Sequence, residues 1–305
     1  MKRVAIVLVV LLVSLLAITI LYRQVNTPLN GEVEPIYTGF YTERKDADYL
    51  VDISKKMASA IPDAAPCGML VLRQIPPPSE TDLNEIFLKA FDDNGIKVVL
   101  QVEPGYANIS ELIDSYLGRY GNHACVLGFG LDLEWRQRIG SIDKMIPVTD
   151  DEAEAWVNKT KSYNPNFKLF FTHFIIRYLP PIARQGIVFI SDSQGFGHGG
   201  LTSMVNQFKH WGDNFSQTEV GFIIGYDTDR GWWSKLVDPV RDIGSALTKN
   251  ISNCRYVIWY HPETTLTPSY PKYSQSPVYY QDKIECNLMV LFFKAEGYGR
   301  KIVET

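Results

Sequence analysis

The sequence predicts an α/β fold: a closed (β/α)8 TIM barrel preceded by an N-terminal transmembrane or signal-anchor helix. Three observations carry the barrel. Eight short apolar runs alternate with amphipathic segments across residues 35–305. Several of the runs are near-continuously apolar, as parallel strands are when helices cover them. The runs also end in polar residues, as strands do where a barrel opens into a mouth.

The elements follow in order. "PIYTGFY" (35–41) is a short first strand. "ADYLVDISKKMASAI" (47–61) has apolar residues at helical spacing. "CGMLVLRQ" (67–74) is the second strand. "SETDLNEIFLKAFDDNG" (79–95) is a helix with Ser79 as its cap and Gly95 after its last turn. "IKVVLQVEPG" (96–105) is strand and "NISELIDSYLGRYG" (108–121) helix. "VLGFGLDLEW" (126–135) is the fourth strand. "TDDEAEAWVNKTKSY" (149–163) is a helix with acids in its first turn, where the helix dipole favours them. The strands "FKLFFTHF" (167–174) and "GIVFISD" (186–192) follow with no clear helix between them. "LTSMVNQFKHWGDNF" (201–215) is helix, "EVGFIIGYD" (219–227) strand, "DPVRDIGSALTKNI" (238–251) helix and "RYVIWYH" (255–261) the eighth strand. "CNLMVLFFKAEG" (286–297) fits either a helix or a closing element. An open doubly wound sheet is the alternative, but no G-x-G-x-x-G follows the first strand. "GFGHGG" (195–200) lacks the Lys and Ser/Thr of a phosphate loop and reads as a flexible loop shaping a cleft.

Residues Val4 to Tyr22 carry no charge and are flanked by Lys2, Arg3 and Arg23. A helix of that length approaches the thickness of a bilayer's hydrocarbon core. Residues 1–24 are therefore expected to be a signal anchor or signal peptide, 25–34 a linker and 35–305 the barrel domain. This predicts a single-pass protein of the cell membrane with its domain outside, or a secreted protein if the segment is cleaved. Net charge is −4, from 30 Lys+Arg against 34 Asp+Glu, and no basic block is present. Nucleic acid is thus not an expected partner. Cys67, Cys125, Cys254 and Cys286 permit disulfides in an exported chain or serve as small buried hydrophobes. Their wide spacing is not that of a zinc cluster, and no cofactor is expected.

The strand ends gather chemistry. Glu103 closes the third strand, Asp132 and Glu134 the fourth, His173 the fifth and Asp192 the sixth. Tyr226 and Asp227 end the seventh strand, and Trp259 and His261 the eighth. Strand residues two apart share a face, so Asp132 and Glu134 point together, with Gly128 and Gly130 below them. Neighbouring carboxylates raise the pKa of one of them. Glu134, nearer the rim, then holds a proton to donate, while Asp132 orients it. An acid beside an anion is the equipment for breaking a glycosidic bond. Glu103, Asp192 or Asp227 would serve as nucleophile or base. Trp259, Tyr226, His173 and His261 are candidates to bind the substrate. The same spacing also fits a solvated rim or a site for a hard cation.

"GFGLDLEW" resembles the fourth-strand signature of chitinase-like glycoside hydrolases, which are (β/α)8 barrels. By that resemblance Glu134 matches the proton donor and Asp132 the aspartate two residues before it. Trp259 resembles the tryptophan that floors the sugar site. The signature's earlier aspartates fall on Leu127 and Gly130. "VFISDS" lacks the Met-x-Tyr-Asp pattern of the sixth strand, although Asp192 sits at a comparable place. A strand end of this kind also resembles that of muramidase-type lysozyme barrels. The resemblance implies a hydrolase acting on an extracellular or cell-surface polysaccharide. The alternatives are a non-catalytic carbohydrate-binding protein on the same barrel and a metal-assisted hydrolase.

Overall fold

A computed structural model describes residues 34–42, 46–72, 74–137 and 145–262. The strands are β1 (Ile36–Thr42), β2 (Ala64–Val71), β3 (Lys97–Val102), β4 (Val126–Asp132), β5 (Lys168–Thr172), β6 (Ile187–Ser191), β7 (Val220–Ile224) and β8 (Cys254–Tyr260). Among the described residues the helices are α1 (Ala47–Ala60), α2 (Leu83–Asn94), α3 (Ile109–Tyr120), α4 (Asp150–Tyr163), α5 (Gly200–Asn214), the short α6 (Arg230–Trp233) and α7 (Pro239–Asn250). The strands pair in chain order, and β8 closes on β1 in parallel.

Alternation along the strands makes two cores. Tyr37, Met69, Val99, Phe170, Ile190, Ile223 and Tyr256 belong to one cluster. Phe170 on β5 meets Tyr256 on β8 edge-on, with ring centroids 5.2 Å apart. Those strands are not neighbours, so this contact crosses the barrel interior. The residues between them, among them Phe40, Leu70, Phe129, Phe171 and Trp259, pack with the helices in the larger outer cluster. At the closing seam Thr38 Oγ1 donates to the Val257 carbonyl at 2.8 Å. Tyr37 stacks on Tyr256 and Tyr41 on Tyr260, with centroids 5.2 and 5.7 Å apart.

The opening strand departs from simple alternation. Val126 pairs with Val98 but Gly128 with Val99, so Leu127 is the extra residue of a bulge. A one-residue slip exchanges the faces of every later side chain. Val126, Phe129 and Leu131 accordingly join the outer core, while Leu127 packs against the inner one. Gly130 and Asp132 then face inward. Gly128 does not share their face as strict alternation predicts. It follows the bulged Leu127, with φ +154° and no room for a Cβ, which would lie 1.9 Å from the Lys168 carbonyl oxygen. Gly130 does leave room for a barrel side chain: a Cβ there would meet Gln101 Oε1 at 2.1 Å.

Most helices begin at a side-chain cap, which satisfies N–H groups that the helix cannot pair itself. Asp82 caps α2 by accepting from Glu85 N at 3.3 Å. Ser79 was the expected cap but lies in the preceding turn, where Glu80 N donates to the Pro77 carbonyl. Thr149 and Glu152 form a reciprocal capping box at α4, at 3.2 and 2.9 Å. Thr149→Ala should lower unfolding stability by about 1 kcal/mol in urea titrations, and an unchanged midpoint would show the box to be idle. The second strand begins three residues earlier than expected, at Ala64. No α-helix joins β5 to β6, as the sequence indicated; a 3-10 turn at Ile176–Tyr178 stands there instead.

The membrane-anchored arrangement is corrected. Among the described residues no helix is long and apolar enough to cross a membrane; the longest, α5, has 15 residues and one buried face. Residues 1–24, the expected anchor or signal, lie outside the described residues, as do the segment 286–297 and Cys286. Membrane attachment and a single-pass or exported location are therefore not carried forward. Cys67, Cys125 and Cys254 are free and buried, which leaves them as small hydrophobes rather than bridge partners.

Candidate active site

The C-terminal ends of the strands bring together Glu103, Asp132, Glu134 and Asp192, and with them Tyr41, Tyr226 and Tyr260. Asp132 is the last residue of β4 and is 7% exposed. The strand stops there, and Leu133–Trp135 form a single 3-10 turn. Asp132 Oδ1 caps that turn by accepting the Glu134 N–H at 3.2 Å. Glu134 thus reaches Asp132 through a turn, not along a strand face. The outer side of the turn is held by Arg136, which is 5% exposed. Its guanidinium donates to the carbonyls of Ile146 and Pro147 at 3.1 and 3.3 Å, pairs with Glu152 and lies over the Trp156 ring.

Burial pushes the Asp132 carboxyl well above the usual carboxylate range, and the charges of Glu134 and Glu103 add to it. Hydrogen bonds from Glu134 N and the Tyr41 hydroxyl pull the other way and are outweighed. Asp192 lies one residue past β6 and is likewise pushed up, by burial, by the charge of Glu134 and by a hydrogen bond to its carboxylate. Asp192 Oδ1 is buried without a partner. Tyr41 and Tyr226 are raised as well, by burial and then by the acids around them. Tyr226 stacks on Tyr260 at 4.5 Å, so three tyrosines wall one side of the acid group.

These shifts have a consequence for stability. A carboxyl raised in the folded state binds more protons there than in the unfolded chain. Its contribution is fully present below the unfolded value, about 3.9 for Asp, and is lost as pH rises through the raised folded value. Asp192→Asn removes that loss. Its melting temperature should rise relative to wild type between pH 4 and pH 8, and an equal difference at both pH values would contradict the burial of a proton there.

The other expected residues divide. His261 sits at the mouth: its N–H donates to the Tyr41 carbonyl at 3.1 Å, and its ring meets Tyr260 edge-on at 4.1 Å. Trp259 is 1% exposed on the outer face of β8, edge-on to Trp233 at 5.3 Å; Tyr260, one residue on, takes the inward position. His173 is fully buried, and burial holds it down to about 4. Its Nδ1 accepts from Ile175 N at 3.1 Å and its ring stacks on Tyr178. Thr172 faces the interior, accepting from Gln101 Nε2 at 3.4 Å, which turns His173 the other way. Asp227 is 76% exposed and pairs with Arg230 at 3.5 Å. The chain swings outward after Gly225, whose φ is +84°, and carries Asp227 away from the acids.

Sequence reasoning missed Tyr41, Tyr260 and Arg136. The tyrosines were readable: Tyr37 and Tyr41 on the first strand and Tyr256 and Tyr260 on the eighth stand at even spacing. Nothing local marked Arg136. An open cavity of about 350 Å³ lies between the loops after β3 and β4 and the helix α4, and none of the four acids lines it. Tyr106, Asn108, Arg136, Gln137 and Trp156 line it, with Tyr106 55% exposed. At the opposite end of the barrel, Asp92, His123 and Cys125 offer metal-type ligand atoms within 4.8 Å of one another. They satisfy each other instead: His123 Nδ1 lies 2.6 Å from Asp92 Oδ2, and Cys125 N donates to Asp92 Oδ1 at 2.7 Å. Burial, and then the hydrogen bond and charge of Asp92, raise the Cys125 thiol. This group is a clamp between α2 and the start of β4.

No protein-family model matches the sequence, and no curated protein matches it. Solved structures do match in fold. A β-glucuronidase from an uncultured Clostridium species is 11% identical, over 78% of this chain and 45% of that one, with a TM-score of 0.47. A putative α-L-fucosidase from Bacteroides thetaiotaomicron is 10% identical over 88% of this chain and 98% of that one, with a TM-score of 0.49. A putative β-galactosidase from Bacteroides fragilis is 10% identical over 76% and 36%, with a TM-score of 0.47. The chain spans less than half the length of the first glucuronidases it matches. The class defined by the chain's own sheet is a closed parallel (β/α)8 barrel. The likeness is not specific to the chitinase-like proteins that "GFGLDLEW" resembles, and at these identities it is one of fold.

Proposed function

We propose that the protein is a glycoside hydrolase that cleaves O-glycosidic bonds of a carbohydrate by carboxylate acid/base chemistry. The observation that supports this most is the convergence of Asp132, Glu134 and Asp192 at the mouth, with two of the three acids favoured in the protonated form. A proton donor and a carboxylate flanking one bond are what glycoside hydrolysis requires. Glu134 is the proton donor, with Asp192 close enough to hydrogen-bond it and restore its proton; Glu103 is the candidate for the second carboxylate. Asp132 holds the Glu134 turn and keeps a proton beneath it. Glu103 contributes charge at the rim. Tyr41, Tyr226 and Tyr260 offer ring faces to a sugar, and His261 stands at their edge.

The test is a panel of aryl glycosides and polysaccharides assayed with the wild-type chain and with Glu134→Gln. Release of sugar by the wild type, lost in the variant, supports the reading. Glycan binding without turnover in either protein would replace it with a carbohydrate-binding function on the same barrel.

A further inference from the structure

We propose that Asp229 is a positioning residue that latches the glycine-rich loop after β6 across the barrel mouth and so holds Asp192 beside Glu134. The inference deepens the proposed acid pair and rests on it. Asp229 is 2% exposed, and both its oxygens are taken. Oδ2 accepts the Gly195 N–H at 2.8 Å; Oδ1 accepts Phe196 N at 2.7 Å and Trp232 Nε1 at 3.0 Å. Beside this, Thr228 Oγ1 donates to Gln194 Oε1 at 2.9 Å. One carboxylate therefore joins two loops. The first leads from Asp192. The second leads from Tyr226, whose carbonyl accepts the Asp229 N–H and Trp233 Nε1, each at 3.0 Å.

A local tie within the turn of α6 would account for the bond to the Trp232 indole, three residues on. It would not account for the two bonds to Gly195 and Phe196, 34 and 33 residues earlier in the chain. Gly195, Gly197 and Gly200 have φ of +84°, +56° and +50°, conformations that glycine adopts freely and that leave the backbone soft. Bonds from N–H groups to an ionised carboxylate are among the stronger hydrogen bonds. The other restraints on the loop are Gln207 Nε2 on Ser193 Oγ and Thr228 Oγ1 on Gln194 Oε1, each at 2.9 Å, and the Phe196 ring against Phe208. Asp192 itself faces Glu134, Asp132, Tyr226 and Tyr41. Opening the loop admits water to that group.

Two measurements on the full chain test the latch, comparing wild type with Asp229→Asn, which keeps the side chain's shape, and Asp229→Ala. Hydrogen exchange followed by mass spectrometry should show peptides spanning 193–200 exchanging at least about tenfold faster, the factor for losing one charged hydrogen bond, with the strands unchanged. The Asp192 carboxyl should then titrate lower, toward the ordinary carboxylate range, as read by ¹³C NMR with the signal assigned through Asp192→Asn. A merely structural role would loosen the loop and leave that midpoint in place. Unchanged exchange, or a loosened loop with an unmoved midpoint, overturns the proposal. Neither readout uses turnover, so a chain that hydrolyses no glycoside but shows both effects would sink the hydrolase reading alone.

Discussion

Glu134→Gln is expected to lower glycoside hydrolysis by about 10²–10⁴-fold, the range for removing a general acid or base, while carbohydrate affinity survives. Gln keeps the length and polarity of Glu but neither holds nor releases a proton. The turn that carries residue 134 is fixed from both sides, by Asp132 Oδ1 at 3.2 Å and by the buried Arg136. The substitution therefore changes the chemistry without moving the backbone. Steady-state sugar release and calorimetric binding, measured on the same preparations, separate the two effects. Asp192→Asn should act in the same direction. The double variant should lose little more than the worse single one, because residues that work as a unit are not additive. Wild-type turnover in Glu134→Gln would end the assignment.

Gly128→Ala is expected to cost about 3 kcal/mol or more of stability, the upper range of overpacking with added backbone strain. Its Cβ would stand 1.9 Å from the Lys168 carbonyl oxygen. That atom belongs to the neighbouring strand and cannot swing aside as a side chain does. The backbone also holds a φ of +154° there, which L side chains rarely adopt. Escape requires undoing the bulge, and that would turn Asp132 outward. Guanidinium unfolding of the variant reads the loss. Gly95→Ala is the control: it shares a positive φ, +67°, but nothing lies within 4 Å of the added carbon. A Gly128 variant no weaker than the Gly95 variant would show that β4 tolerates another register.

The strands and helices were legible because each buries one apolar face, and burial leaves a period in the sequence. Asp192 was legible for the same reason: it continues the inward series Val188 and Ile190. The direction of Asp132 and Glu134 was reached by a route the structure does not use. Strict alternation from Val126 puts Asp132 outside; the bulge at Leu127 and the turn at Leu133 both lie off the regular period, and together they restore the acids to the mouth. Trp259 shows the converse limit. A tryptophan near a strand end invites a stacking role, yet one residue of parity sends it to the helices and puts Tyr260 in its place. The anchoring of Glu134 by Arg136 and of the glycine-rich loop by Asp229 leaves no trace in local sequence, because each joins segments whose proximity is set only by closure of the sheet.

The seam between β1 and β8 gives that closure a kinetic meaning. Thr38 and Val257 are separated by 219 residues, and contacts of such separation are the slowest to form because the intervening chain must first be ordered. Tyr41 and Tyr260 stack across this seam, and Tyr226 leans on Tyr260. The aromatic wall of the mouth is thus assembled by the last pairing event. The wall exists only once β1 and β8 have paired, so ligand binding should recover during refolding no earlier than the joining of the two ends of the sheet.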